Sequence, residues 1–244
     1  MTYLSEFVGS LVFLLCGYAY MCNISLKKTL VGTLNYIELV TAWALAVGFG
    51  LATSTIMGGP GLLNPGAALG NVIMGSMPIG DACIYILMEF LAAGCAVALC
   101  MIFFWDSFKA SKEESKRGIF SAYPVEKNMA LNFVQEILAT FLFLFLVLLC
   151  IAGIGSLKAS NQALIVGLVG LAAVAALSLS LNSTGFSMNA MRSFFSSIWF
   201  AILPIPNKNG EKVDWGYQVV VNLIGSTIGG ILAVVAATLV KGAL

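Results

Sequence analysis

Long apolar runs separated by short polar turns dominate the chain. A run of about 18 or more apolar residues is what an α-helix needs to cross a hydrocarbon core of about 30 Å. On that pattern, spans are predicted over about Tyr3–Cys22, Tyr36–Met57, Ala82–Trp105, Met129–Ile151, Gln162–Leu181 and Trp215–Val240. Two further apolar stretches are too short to cross. One opens at Asn64-Pro65-Gly66, after the break Gly58-Gly59-Pro60-Gly61, and stops near Met77-Pro78. The other runs from Ser193 to Leu203 and follows Thr184-Gly185-Phe186-Ser187-Met188-Asn189-Ala190-Met191-Arg192. Each reads as a half-length helix at membrane depth, where non-helical backbone survives only if protein buries it or a watery cavity solvates it. An arginine at that depth costs roughly 2.5–3.5 kcal/mol on insertion scales and by default marks an ion or substrate path. A single such stretch also fits a re-entrant loop whose arginine reaches the headgroups. The second copy of the device favours a pore.

The two halves resemble each other. Ser5-Glu6-Phe7-Val8-Gly9-Ser10 reads like Gln135-Glu136-Ile137-Leu138-Ala139-Thr140, each placing a glutamate in the first span of its half. Glu89 with Ala92 and Ala96 corresponds to Asn222 with Gly225 and Gly229 in the third spans. Three spans and a half-helix form each copy: repeat one is about 1–105, repeat two about 128–244, joined by a linker over about 106–127 within one channel domain, 1–244. An odd number of spans per copy inverts the second copy, so the two half-helices meet at the midplane. Small residues in the third spans suit close helix approach.

Composition sharpens this. The 244 residues are 60% hydrophobic and 9% charged, and the mean hydropathy is +0.98, which gives an all-α, multi-pass membrane protein and excludes a soluble domain. A net charge of +1 offers no basic face for nucleic acid. The chain has no histidine, which removes histidine triads, most catalytic zinc sites and a histidine pH switch. No nucleophile–base or metal constellation is present, so neither an enzyme nor a cofactor is expected. Cys16, Cys83, Cys95, Cys100 and Cys150 lie inside apolar runs, Cys22 lies near a span end, and no CxxC occurs; they read as small packing residues. The first span, with Glu6 near its start and no basic segment before it, reads as retained. The charged linker reads as a solvated loop.

These stretches together resemble the aquaporin and glycerol-facilitator family, on its aquaglyceroporin side. The specific pieces are Ser5–Ser10, Leu63-Asn64-Pro65, Phe120-Ser121-Ala122-Tyr123-Pro124, and Thr184–Asn189 before Arg192; Lys27-Lys28-Thr29 and Trp43–Val47 look most like bacterial members. The resemblance implies a six-span channel with two half-helices meeting at paired Asn-Pro-Ala motifs, and a homotetramer with one pore per subunit. It implies that Asn64 and Asn189 donate amide hydrogen bonds to solute, and that Trp43, Leu177, Phe186 and Arg192 form the selectivity constriction. Glu6 and Glu136 would hold the re-entrant loops. The implied partners are glycerol, water, other small neutral solutes and the lipid bilayer of the cell membrane.

The chain departs from that pattern in places. The motifs read Asn64-Pro65-Gly66 and Asn189-Ala190-Met191. One expectation is that Gly66 makes room for the bulky Met191 across the contact. Leu62 stands where many members carry histidine, and Leu177 where glycerol conductors carry glycine. Between Trp43 and Asn64 there is one residue more than the family spacing, expected within Gly58–Gly61; inside the helix it would turn Trp43 from the pore. Glu89 stands where glutamine is usual and reads either as a helix-packing residue or as a pore-mouth acid. The resemblance places both termini in the cytoplasm, yet Lys27, Lys28, Lys109, Lys112, Lys116, Arg117, Lys127, Lys208 and Lys212 fall on the loops that this puts outside, against the positive-inside rule. The family orientation is preferred. The expected function is passive conduction of glycerol and other small uncharged solutes with water, excluding ions and protons. Its rivals are a water-, urea- or small-protonated-acid-selective channel of the same fold, and a poorly conducting structural or adhesion member.

Overall fold

Among the described residues, five helices are long and apolar enough to cross a membrane: Thr2–Ser25, Tyr36–Ile56, Ile79–Phe103, Met129–Ala152 and Trp215–Val240. The structure, a computed structural model, describes residues 2–32, 35–156, 181, 183–185 and 187–243. The fifth predicted span, with Leu177, lies outside the described residues apart from Leu181, and Phe186 also lies outside them.

In chain order, α1 is Thr2–Ser25, α2 Tyr36–Ile56, α3 the half-helix Pro65–Ile73, and α4 Ile79–Phe103. Two short helices follow in the linker, α5 (Trp105–Ala110) and α6 (Arg117–Phe120), and then α7 (Met129–Ser156). A π-helical turn, Met191–Phe195, runs into the α-helix Ser196–Ile202; together they are α8, the second half-helix. The last span, α9, combines Trp215–Tyr217, a π-helical stretch Gln218–Gly225 and Ser226–Ala243.

Local signals set the ends. Asn35 Oδ1 accepts from the Ile37 amide at the start of α2, and Asp214 Oδ1 from the Tyr217 amide at the start of α9. Gly58 and Gly61 take left-handed φ of 79° and 62°, which turns the chain sharply after α2. Lys208 Nζ donates to the carbonyls of Phe200, Ala201 and Leu203 at 2.8, 3.0 and 3.2 Å, closing the C-terminal end of α8.

The helices are polar and small on the inside, apolar on the outside. Ser5, Glu6, Ser10, Ser54, Glu89, Glu136 and Thr140 are buried, whereas Leu45, Phe49, Ile84, Leu87, Ile102, Leu138 and Leu239 are exposed. This is the distribution expected when the solvent is lipid and buried polar groups must find partners within the protein. Each half-helix packs on the third span of the other repeat, α3 against α9 and α8 against α4.

The linker is not the solvated loop its charge suggested. Phe108, Ile119 and Phe120 have no exposed surface, and Phe120 packs on Tyr18, Phe108 and Phe200 with ring centroids 5.3–6.3 Å apart. The Glu211 carboxylate accepts the Lys116 and Arg117 amides at 2.8–3.1 Å, capping α6 from the loop after α8. Lys27 pairs with Glu114 at 2.7 Å, and Lys127 with Asp214. Lys27 holds the Glu114 carboxyl below the usual carboxylate range, and Lys127 does the same for Asp214. Lys27 and Lys127 thus tie the linker to the loops after α1 and α8.

Candidate functional site: a junction of two half-helices

Asn64 and Asn189 begin the half-helices, and each caps its own. Asn64 Oδ1 accepts from the Gly66 amide and Asn189 Oδ1 from the Met191 amide, both at 2.9 Å. Each side-chain amide then crosses to the other loop. Asn64 Nδ2 donates to the Met188 carbonyl at 3.2 Å, and Asn189 Nδ2 to the Leu63 carbonyl at 2.6 Å. A carboxamide carries two N–H donors, so each asparagine keeps one after pinning its partner.

The residue before each asparagine is strained in the same way. Leu63 has φ 47° and Met188 φ 48°, left-handed values that cost a non-glycine residue energy. A buried glutamate holds each. Glu6 accepts the Leu63 amide, the Leu62 amide at 3.2 Å and Ser54 Oγ at 3.3 Å. Glu136 accepts the Met188 amide at 2.5 Å, Thr184 Oγ1 at 2.6 Å and Thr140 Oγ1 at 3.4 Å. One device, built twice, fixes the two loops against each other.

A cavity of about 30 Å³ opens at the junction, room for two or three waters at roughly 10–15 Å³ each. Asn64 and Asn189 reach it, and the rest of its described wall is apolar, including Leu51, Leu62, Phe143 and Val147. Arg192 is the second residue of α8 and is almost completely buried. Its guanidinium carbon stands 5.0 Å from the centre of the Trp43 ring, and Nη1 donates to Ser193 Oγ at 3.0 Å. Its Nε has no partner among the described residues. Trp43 is fixed by edge contacts with Phe13 and Tyr18 and by Gly17, where a Cβ would fall 2.2–2.6 Å from its ring. Trp43 therefore faces Arg192. Leu177 and Phe186, the other two constriction candidates, lie outside the described residues.

Two expectations are corrected. Gly66 does not make room for Met191: a Cβ on Gly66 would lie 2.9 Å from the Thr227 carbonyl oxygen and 3.0 Å from Gly230 Cα. It permits backbone contact between α3 and α9. Met191 is fully buried in a separate cluster with Tyr18, Trp43, Ala93 and Ala96, where the small residues of α4 accommodate it. The reason is the crossed packing: the third motif position faces the third span of the opposite repeat, not the facing motif. Glu89 has no exposed surface, which eliminates the pore-mouth reading.

Tyr18 belongs to this site although its sequence drew no attention to it. Its hydroxyl donates to the Arg192 carbonyl at 2.6 Å and lies 2.5 Å from Ser196 Oγ, so α1 braces the π-helical turn that carries the arginine. The one available signal was its place on the Glu6–Ser10–Leu14 stripe of α1. The Phe120–Pro124 segment covers α8 from outside, with the Ala122 amide bound to Ser193 Oγ and its carbonyl accepting Gln218 Nε2 and Asn222 Nδ2 at 3.0 Å each.

Comparison with known proteins agrees with this architecture. The profile of the family described as major intrinsic protein matches residues 1–236. "Glycerol uptake facilitator protein 2" of Lactiplantibacillus plantarum is 32% identical over 234 residues, covering 95% of both chains. The "D/L-lactic acid transporter" of the same organism is 30% identical over 236 residues, covering 94% of this chain and 93% of its own. Among solved structures, the aquaglyceroporin from Plasmodium falciparum superposes with a TM-score of 0.75 at 19% identity, covering 98% of each chain, which shows the fold. With the profile matched almost end to end and the aquaporin fold in place, the chain belongs to the major intrinsic protein family: a multi-pass membrane channel protein, not an enzyme.

Proposed function

We propose that the pore conducts glycerol and other small uncharged solutes, together with water, and excludes ions and protons. The observation that carries this is the junction itself: two asparagine amides, each with a donor to spare, face an otherwise apolar cavity, and a buried arginine lies against a tryptophan nearby. Each half-helix points its N-terminus, worth roughly half a positive charge, at the same spot. A cation or hydronium meets that field with little solvation to replace its water, whereas a neutral molecule does not. The spare amide hydrogens and the guanidinium donors replace part of a polyol's hydration, and the aromatic and aliphatic wall takes its CH groups. The names of the facilitator relatives point to the same substrate. Arg192, Trp43, Phe186 and Leu177 are the proposed selectivity constriction; Glu6 and Glu136 hold the loops. We place the protein in the cell membrane as a homotetramer, in the family orientation.

A second reading, passage of a small protonated carboxylic acid, is favoured by the lactic acid transporter among the relatives and by the apolar cavity wall. Stopped-flow light scattering on proteoliposomes separates the readings. Wild type and Arg192→Ala would be challenged in turn with sucrose, glycerol, urea and acidified lactic acid gradients. Glycerol re-swelling in the wild type, with altered solute ranking in Arg192→Ala, supports the first reading. Flux of the acid alone supports the second. Water flux without any solute flux contradicts both.

A further inference from the structure

Glu89 takes no part in holding the loops, yet it sits beside one. It lies in the middle of α4 with no exposed surface. The backbone amide of Asn64 and the carboxyl of Glu6 are its polar neighbours, but neither of its oxygens completes a hydrogen bond among the described residues. Ser10 Oγ, on α1, is buried and without a partner among the described residues as well. The corresponding residue of the second repeat, Asn222, donates through Nδ2 to the Ala122 carbonyl and Gln218 Oε1, while its Oδ1 has no partner among the described residues.

No described cation answers this carboxyl. From α1 it meets Glu6, an acid already committed to three donors. Arg192, on α8, is directed to Trp43 and Ser193. Asp81, at the start of α4, accepts from Tyr3 Oη at 2.7 Å, and α3 carries no charged residue. A bare carboxylate in a span, next to a second acid, is costly; a buried acid so placed is neutralised by a proton.

We propose that Glu89 is a proton-holding positioning residue for the first half-helix, and that permeation depends on pH through it. In the neutral form the carboxylic acid is a packing group between α1 and the start of α3. When the O–H bond breaks and a solvent water takes the proton, the remaining charge is drawn to the Asn64 amide and the positive end of α3 and repelled by Glu6. Asn64 carries both the cap of α3 and the cross-link to Met188, so a shift there disturbs the junction. The sign follows: the conducting arrangement is complete while the proton is held and is lost as pH rises through the titration of Glu89.

This inference rests on the channel reading, and the test keeps the two apart. Full-length protein in liposomes is assayed for glycerol re-swelling in steps from about pH 5 to about pH 9. Glycerol does not ionise there. Wild type is expected to lose permeability towards the alkaline end, while Glu89→Gln keeps its acid-side permeability throughout. Infrared difference spectra of wild type minus Glu89→Gln should show a protonated carboxylic acid band at neutral pH. A flat wild-type profile, the same profile in Glu89→Gln, or no such band would overturn the proposal. So would a Glu89→Gln protein that fails to fold, since a residue held neutral tolerates its neutral isostere. The band without glycerol flux in either protein keeps the proton site but overturns the coupling and the channel reading together.

Discussion

Gly66→Ala tests how the two half-helices are seated. The added methyl would lie 2.9 Å from the Thr227 carbonyl oxygen and 3.0 Å from Gly230 Cα, both backbone atoms that no rotamer change can move. Ordinary carbon contacts lie at about 3.5–4.0 Å, so α3 and α9 must part by roughly 0.5–1 Å. Overpacking of this kind costs about 1–3 kcal/mol, offset by about 0.5–1 kcal/mol from removing a helical glycine. A net loss of about 1–2 kcal/mol is expected on unfolding by SDS in mixed micelles, with reduced glycerol permeability because Asn64 starts the displaced helix. The informative variant is the double mutant. Met191→Ala alone should cost about 2–5 kcal/mol as a cavity in the Tyr18–Trp43–Ala96 cluster. Because a Cβ at position 66 meets α9 and not Met191, the two losses should add within about 0.5 kcal/mol. If Met191→Ala instead recovers most of the Gly66→Ala loss, the two residues compensate each other and the crossed seating described here is wrong.

Other consequences are open to measurement. Glu136→Ala leaves the Met188 amide and Thr184 hydroxyl without their acceptor, at about 1–3 kcal/mol each. It should lower the unfolding midpoint far more than Glu136→Gln, which keeps one acceptor oxygen; equal effects would deny the carboxylate its role as a clamp. Lys208→Met removes three bonds from the end of α8 and should cost about 1 kcal/mol without changing solute ranking. A changed ranking would tie Lys208 to selection instead. The Lys27–Glu114 and Lys127–Asp214 pairs have lowered carboxylate pKa values, so their contribution is complete above the ordinary carboxylate range and is lost as pH falls through the lowered values. Amide protection over 106–127 and 204–214, taken relative to the intrinsic exchange rate at each pH, should therefore fall below about pH 4; unchanged protection would mean the pairs do not tie these loops.

Much of this was legible in the sequence because membrane spans are specified by crude quantities. The apolar run from Tyr36 ends where the Gly58–Gly61 break demands, and the helix found is Tyr36–Ile56. Asn64-Pro65 announced a cap followed by a residue preorganised for a first helical turn, and α3 starts at Pro65. Glu6 and Glu136 stood out because acids in apolar spans need donors, and the strained amides of Leu63 and Met188 supply them. What stayed hidden depends on direction. The linker's charges masked three apolar side chains that share an inner face. Position 66 was paired with position 191 because the motifs match in sequence, but each points at a span of the other repeat. The stripe that carries Tyr18 marks it as buried but not as a brace for Arg192, and the π-helical winding of Met191–Phe195 has no periodic signature, since both follow from how α1 meets α8.

If neutral solutes cross through this junction, as proposed, glycerol flux must follow the amount of protein in the membrane. Purified protein reconstituted into liposomes should accelerate glycerol re-swelling in proportion to the protein added, with a weaker temperature dependence than the lipid pathway. Re-swelling no faster than in protein-free liposomes, at every protein density and pH tried, would contradict it.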